Sequence, residues 1–294
     1  MATHITFDEA RTILKKMRDE QVRDGDMVVK LWEGFLIHHS HKLADELWMV
    51  YEQVCIAALD CRRLDLAEEC IEALQYKFPD SMRVKRLEGL FYEADGRYNE
   101  ADKLYTEIIE KDNTNMIARK RQVAILKAQG KMAEAIQKLN EYLRKFMTDY
   151  ESWMELCDLY LCEFDYSNAA FCMEEVIMSN PHNHLFHQKY AEIRYTMGGA
   201  ENMELARSYF AQAVKLNPNN TRALNGVLLA ATNLATAYSK GAKEKQINAR
   251  YASWAEEQLT VKYKTQATDE QRKETKVLES LRKLLELSQS VGGS

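Results

Sequence analysis

Small and apolar side chains return along this chain at a fixed interval. Ala67, Ala101, Ala135, Ala169 and Ala206 lie 34, 34, 34 and 37 residues apart. Four residues after each alanine stands a bulky side chain: Ile71, Tyr105, Leu139, Met173 and Phe210. Seven residues after it comes Leu74, Ile108, Tyr142, Val176 or Ala213. Positions 0, +4 and +7 fall on one stripe of an α-helix, so each interval holds a helix with one buried face. Twelve residues after the alanine is a helix-stopping slot: Pro79, Asn113, Met147, Pro181 and Pro218. All three prolines of the chain fall there, where the absence of an N–H and the fixed φ end a helix.

A 34-residue period of this form is the signature of tetratricopeptide repeats, stacked helix pairs in which each pair buries its apolar face on its neighbours. The fold expected is all-α: a right-handed tetratricopeptide-repeat superhelix, an α-solenoid, with helical caps at both ends. Residues 1–47 form the N-terminal cap, beginning with a capping box at Thr6 and Glu9. One helix carries Phe7, Ala10, Leu14 and Met17. Asp24-Gly25-Asp26 breaks it, and a second runs through Val28, Leu31, Trp32, Phe35 and Leu36. Five repeats occupy 48–220, starting near Trp48, Met82, Met116, Tyr150 and His184. Gly96, Gly130 and Gly198-Gly199 supply the turn inside three of them, because glycine takes a positive φ at a helix C-terminus. Arg62-Arg63 and Phe164-Asp165 hold the same place in the other two. A three-residue insertion near Gly199-Ala200-Glu201 explains the 37-residue interval and is expected in the turn. An irregular sixth pair spans 221–264, with a polar loop at 239–243. A last helix bearing Val277, Leu278, Leu281, Leu284, Leu285 and Leu287 lies within 265–294 and covers the open end.

Composition narrows the functions. A formal charge of −5 gives no field that argues for nucleic acid or an anionic membrane. The N-terminus carries Asp8, Glu9 and Arg11 where a secretory signal needs an apolar core, and no apolar run is long enough to span a bilayer. The chain is therefore expected in the cytosol, reaching a membrane only through partners. The six cysteines include no C-x-x-C pair and read as buried, reduced residues.

Few side chains offer chemistry. His38, His39 and His41 cluster, but no Cys or carboxylate pair is placed by sequence to complete a metal site, so they read as a solvated turn. His182 and His184 sit at a repeat junction and read as capping or inter-repeat residues. No phosphate-binding loop, nucleophile elbow or zinc-protease motif occurs, and neither a catalytic residue nor a cofactor is expected. The charged first helices are more informative. The second, fifth, ninth and twelfth positions of each repeat are expected to face a groove. That places Arg83, Arg86, Lys120 and Lys127 beside Leu90 and Ile117, followed by Glu151, Asp158 and Glu192. A groove that changes sign along its length suits an extended or helical protein segment.

The residues between the repeat positions carry a resemblance. Tyr51-Glu-Gln-Val-Cys-Ile-Ala-Ala-Leu-Asp60, Phe78-Pro-Asp-Ser-Met-Arg-Val-Lys-Arg-Leu87, Ala118-Arg-Lys-Arg121, Leu139-Asn-Glu-Tyr-Leu143, Asn180-Pro-His-Asn-His-Leu185, Tyr190-Ala-Glu-Ile-Arg-Tyr-Thr-Met-Gly-Gly199 and Tyr251-Ala-Ser-Trp-Ala255 closely resemble subunit 2 of the endoplasmic reticulum membrane protein complex. The resemblance implies a non-catalytic, peripheral scaffold on the cytoplasmic side of the endoplasmic reticulum. It implies hetero-oligomeric assembly with membrane-embedded and cytosolic subunits of that complex, and support for inserting tail-anchored and multi-pass membrane proteins. The competing reading is a co-chaperone adaptor that captures acidic chaperone C-termini. Such a clamp wants asparagine at the ninth position of successive first helices, where this chain has Ile56, Leu90, Ala124, Asp158 and Glu192.

Overall fold

A computed structural model describes residues 5–237 and 243–266, and among these every regular element is helical. The chain divides into two compact units, Met1–Ala135 and Ile136–Ser294. The boundary falls inside one helix. In unit 1, α1 (Phe7–Asp19) and α2 (Gly25–Leu31) precede the pairs α3 (Leu47–Asp60) with α4 (Leu64–Lys77) and α5 (Met82–Ala94) with α6 (Tyr98–Lys111). They are followed by α7 (Met116–Ala128) and the start of α8 (Met132–Lys145). Unit 2 takes the rest of α8, the pairs α9 (Tyr150–Cys162) with α10 (Tyr166–Ser179) and α11 (His184–Met197) with α12 (Ala200–Leu216), then α13 (Thr221–Ala237) and α14 (Lys243–Gln266). First helices thus start within one residue of the expected places.

The alanine register is the core. Ala67, Ala101, Ala135, Ala169 and Ala206 are all 0% exposed, and every residue at +4 and +7 is buried. The two bulkiest +4 side chains need extra room. Tyr105 lies against Gly89, where a Cβ would stand 2.7 Å from the ring, and Phe210 lies against Gly226, where it would stand 2.5 Å away. A polar triad repeats in both units. Tyr105 donates to Glu93 at 2.6 Å and Arg121 binds the same carboxylate. Tyr190 donates to Glu174 at 2.7 Å, with Arg194 on both. Burial pushes the Tyr105 and Tyr190 phenols upward, and the adjacent carboxylates add to it.

Turn geometry is as periodic as the core. Arg62, Gly96, Gly130, Phe164 and Gly198 stand 34 residues apart, with φ of 58°, 78°, 73°, 59° and 75°. In the first four the next amide reaches back to a carbonyl five residues before it, as Arg97 N–H does to Tyr92 at 2.7 Å, which satisfies carbonyls that the helix end leaves open. The second helix begins two residues after this position in every repeat, and the stopping slot lies two residues beyond its last helical residue. The insertion does not sit in the turn. Helix α12 starts at the usual place and has 17 residues, where α4, α6, α8 and α10 have 14. The three residues make an added turn at its start, upstream of Ala206, so the buried stripe keeps its phase.

The N-terminal cap keeps its expected start and changes at its end. Thr6 and Glu9 form the capping box, and Ala10, Leu14 and Met17 are buried. Asp24 caps α2 through Met27 N–H. Beyond Leu31 the helix widens to a π-turn at Trp32–Leu36 and tightens to a 3₁₀ segment at Ile37–Glu46, with Ala44 at φ 46°. Trp32, 2% exposed and edge-on to Tyr51 at 5.2 Å, anchors this segment to α3. The last expected helix, through Val277 and Leu287, lies outside the described residues, as does most of the polar loop before α14.

Candidate functional site

In unit 1 the N-terminal turns of α5 bring two guanidiniums onto one carboxylate. Arg83 holds Glu52 of α3 at 2.6 and 2.8 Å, and Arg86 approaches it at 3.4 Å. Glu52 is 13% exposed and Arg83 is 69% exposed. Two cations against one anion leave this face with net positive charge. The hydrogen bond to Glu52 raises the Arg83 pKa further, so it stays protonated at any working pH.

Two cavities flank Arg83. One, of about 340 Å³, is lined by Met82, Arg83 and Arg86 with Ile108, Asn115 and Ala118. The other, of about 260 Å³, runs from Trp48, Met49 and Glu52 across Phe78 to Arg83 and Leu87. Trp48 and Phe78 meet edge to face at 5.6 Å and build its aromatic wall. Both are near or below the lower end of small-molecule pockets, roughly 300–1,000 Å³. Ile117 is 51% exposed at the start of α7. Lys120 and Lys127 are half-buried and engaged by neighbours. Leu90 is half-buried against the core of this unit.

In unit 2 the acidic positions are tied to the next first helix. Asp158 of α9 accepts from Lys189 of α11 at 2.5 Å. Glu192 of α11 accepts from Arg222 of α13 at 2.5 and 3.0 Å, and from Gln188 at 2.8 Å. Glu151 is exposed in the first turn of α9. Sequence reasoning named the acids and missed the bases Lys189 and Arg222, as it named Arg83 and Arg86 and missed Glu52. The signal was the period itself. These pairs are separated by 31, 34, 31 and 30 residues, close to one repeat, which places both partners on adjacent first helices.

The other candidates hold no chemistry together. His38, His39 and His41 are exposed on the 3₁₀ segment, with His39 Nδ1 3.2 Å from the Phe35 carbonyl. Among the described residues no group of three or more His, Cys, Asp or Glu is placed to hold a metal. His184 is set between the Asn217 and Asn220 amides at 3.0 and 2.9 Å, a junction role. Cys55, Cys70, Cys157 and Cys172 are buried, and burial pushes the thiols upward, Cys157 to about 11 and Cys55 and Cys172 to about 12, away from reactive thiolate. Cys162 departs from the buried reading and is exposed at the end of α9. The ninth positions lack a clamp asparagine, and two of them, Asp158 and Glu192, are occupied in ion pairs.

Among the described residues no helix is long and apolar enough to cross a membrane. Residues 63–215 match the family model described as the EMC2 TPR-like repeat domain. The chain is 46% identical over 289 residues to ER membrane protein complex subunit 2 of Xenopus tropicalis, covering 97% of each. It is 33% identical over 262 residues to the Dictyostelium discoideum protein of the same name, covering 85% of this chain and 80% of that one. The crystal structure of the C-terminal part of a TPR repeat-containing protein from Cytophaga hutchinsonii superposes at a TM-score of 0.58, over 87% of this chain and 94% of that one. At 16% identity that likeness establishes the fold alone, an all-α tetratricopeptide-repeat solenoid. Identity this high over nearly the whole length of both chains places this chain in the ER membrane protein complex subunit 2 family.

Proposed function

We propose that this chain is a non-catalytic scaffold on the cytosolic side of the endoplasmic reticulum. In this reading it belongs to the ER membrane protein complex. It holds cytosolic parts of the membrane-embedded subunits and so supports insertion of tail-anchored and multi-pass proteins. One observation carries the docking role: the first-helix face of unit 1, where exposed Arg83 lies between two side-chain-sized cavities and shares Glu52 with Arg86. Helices packed on a continuous core hold this face in shape before a partner arrives, so little ordering entropy is lost on the scaffold side. The guanidiniums and half-buried Lys120 favour a segment that brings carboxylates to this face.

The test is affinity purification of the tagged full chain from membranes solubilised in mild detergent. The wild-type chain is expected to bring down a multi-subunit membrane complex. An Arg86→Glu/Lys120→Glu variant is expected to lose most of the membrane subunits while its circular dichroism stays helical. Unchanged recovery with the variant would remove this face from the assembly, and recovery of no membrane subunit by the wild type would remove the scaffold role.

A further inference from the structure

The α9–α10 hairpin of unit 2 differs from the other repeats where the helix faces solvent. Relative to the repeat alanine, positions +2 and +9 of each second helix are exposed. They hold Glu69 and Tyr76 in α4, Lys103 and Glu110 in α6, Gln137 and Arg144 in α8, and Ser208 and Lys215 in α12. In α10 they hold Phe171 and Met178, which are 52% and 75% exposed. Phe164 stands seven residues before Phe171 and is 75% exposed. It also occupies the turn position with φ 59° that three other repeats give to glycine. A β-carbon in that conformation is unfavourable by about 1–2 kcal/mol, and the exposed ring returns little packing within the chain. Trp153 of α9 backs the stripe edge to face with Phe171 at 6.1 Å.

The electrostatics of the hairpin are one-sided. Residues 146–188 contain no lysine or arginine in a chain with 40 of them, and they contain eight carboxylates: Asp149, Glu151, Glu155, Asp158, Glu163, Asp165, Glu174 and Glu175. The bases that reach in do so elsewhere, Lys189 at Asp158 and Arg194 at Glu174. Exposed Glu163 precedes Phe164, and half-buried Glu175 stands between Phe171 and Met178, four residues after the one and three before the other.

We propose that the solvent face of α10, together with Phe164, is a docking surface for a basic amphipathic helix of a partner protein. Phe171 and Met178 stand two turns apart on one face of α10, about 10 Å along its axis, and Phe164 stands in the turn that precedes the helix, so a partner helix lying along α10 meets apolar side chains over about two turns. The partner's apolar stripe lies on Phe164, Phe171 and Met178, and its lysines and arginines lie against Glu163 and Glu175. An anionic lipid surface is disfavoured by the same carboxylates. This site is on different helices from the Arg83 face and does not rest on the function proposed for it.

Fluorescence anisotropy with the full chain decides the matter. The probe is a labelled leucine–lysine amphipathic helix of about 18 residues, ~27 Å long. The controls are a scrambled peptide of equal composition and a leucine–glutamate helix. The wild-type chain is expected to bind the leucine–lysine helix at least about tenfold tighter than either control, ~1.4 kcal/mol. Phe171→Ser/Met178→Ser is expected to lose that preference while its circular dichroism stays helical and the chain stays folded at the assay temperature. Phe171→Leu/Met178→Leu is expected to keep it, and Glu163→Lys/Glu175→Lys to weaken binding and flatten its salt dependence. Arg86→Glu/Lys120→Glu is expected to bind as wild type, which separates this site from the groove. Equal affinity for the scrambled peptide, or no loss in the serine variant, overturns the proposal. Sedimentation in which the wild type self-associates and the serine variant does not would overturn it in favour of a second copy of this chain.

Discussion

The first helices of unit 1 and the α9–α10 hairpin of unit 2 are built on the same buried register and present opposite chemistry. On α5, guanidiniums share a carboxylate from the previous repeat and leave a positive face beside two small cavities. On α10 the exposed +2 and +9 positions hold an aromatic ring and a thioether, within a stretch lacking any basic side chain. The alanine, +4 and +7 positions are buried in both. The period therefore governs how the chain packs, while the chemistry of the surface is set by the positions outside the buried register.

The largest effect should come from the shared core. Tyr105→Ala and Met173→Ala remove +4 side chains that are both 0% exposed, and they are expected to cost about 3–5 and about 2–5 kcal/mol respectively by chemical denaturation. Tyr105 also leaves Glu93 without its phenol donor. Loss from only one of the two would break the claim that the repeats share one packing rule. The turn position gives a smaller effect of opposite sign in the two regions. Gly96→Ala is expected to destabilise, and Phe164→Gly to stabilise, each by about 1 kcal/mol, while Phe164→Gly also weakens the leucine–lysine peptide. A thermal melt in which Phe164→Gly is less stable than wild type would show that the ring is held by this chain.

The smallest effect concerns charge in unit 1. Lys85 holds Glu107 at 2.8 Å, and its hydrogen bond lowers the Glu107 pKa below the ordinary 4.5. A lowered folded-state pKa contributes stability above the unfolded value, lost as pH falls through the folded value. The melting difference between wild type and Glu107→Gln should therefore be present at neutral pH and vanish as pH drops below about 4.5. Glu107 is 51% exposed, so solvent screens the pair and the difference sits near the limit of detection. A gap that persists at pH 3 would point to packing instead of charge.

Much of this architecture was legible in the sequence because the period singles out residues whose burial is obligatory. It even located two positive-φ turns that hold Arg62 and Phe164 in place of glycine. The segment after Leu31 was not legible: Gly34 lies within the π-turn, but neither it nor any proline marks where π geometry gives way to 3₁₀, and Trp32 is buried against Tyr51 there. Nor did the candidate groove reveal its internal partners, since Glu52, Lys189 and Arg222 become neighbours of the named residues only when the period is applied to charge as well as to apolar side chains. The break inside α8 has no local signal, because the helix is continuous across it.

The added turn of α12 has a practical side. It marks a place where one repeat is three residues longer than the others with its buried register intact. Three residues entered just after Gly198, and Ala206, Phe210 and Ala213 remain as buried as their counterparts. The same three residues placed after Ala206 would swing everything downstream by about 300° around the helix and turn the apolar stripe away from α13. An epitope, fluorophore or crosslinking residue intended to report on assembly is best grafted in the added first turn of α12, upstream of Ala206, where the fold has already admitted an insert.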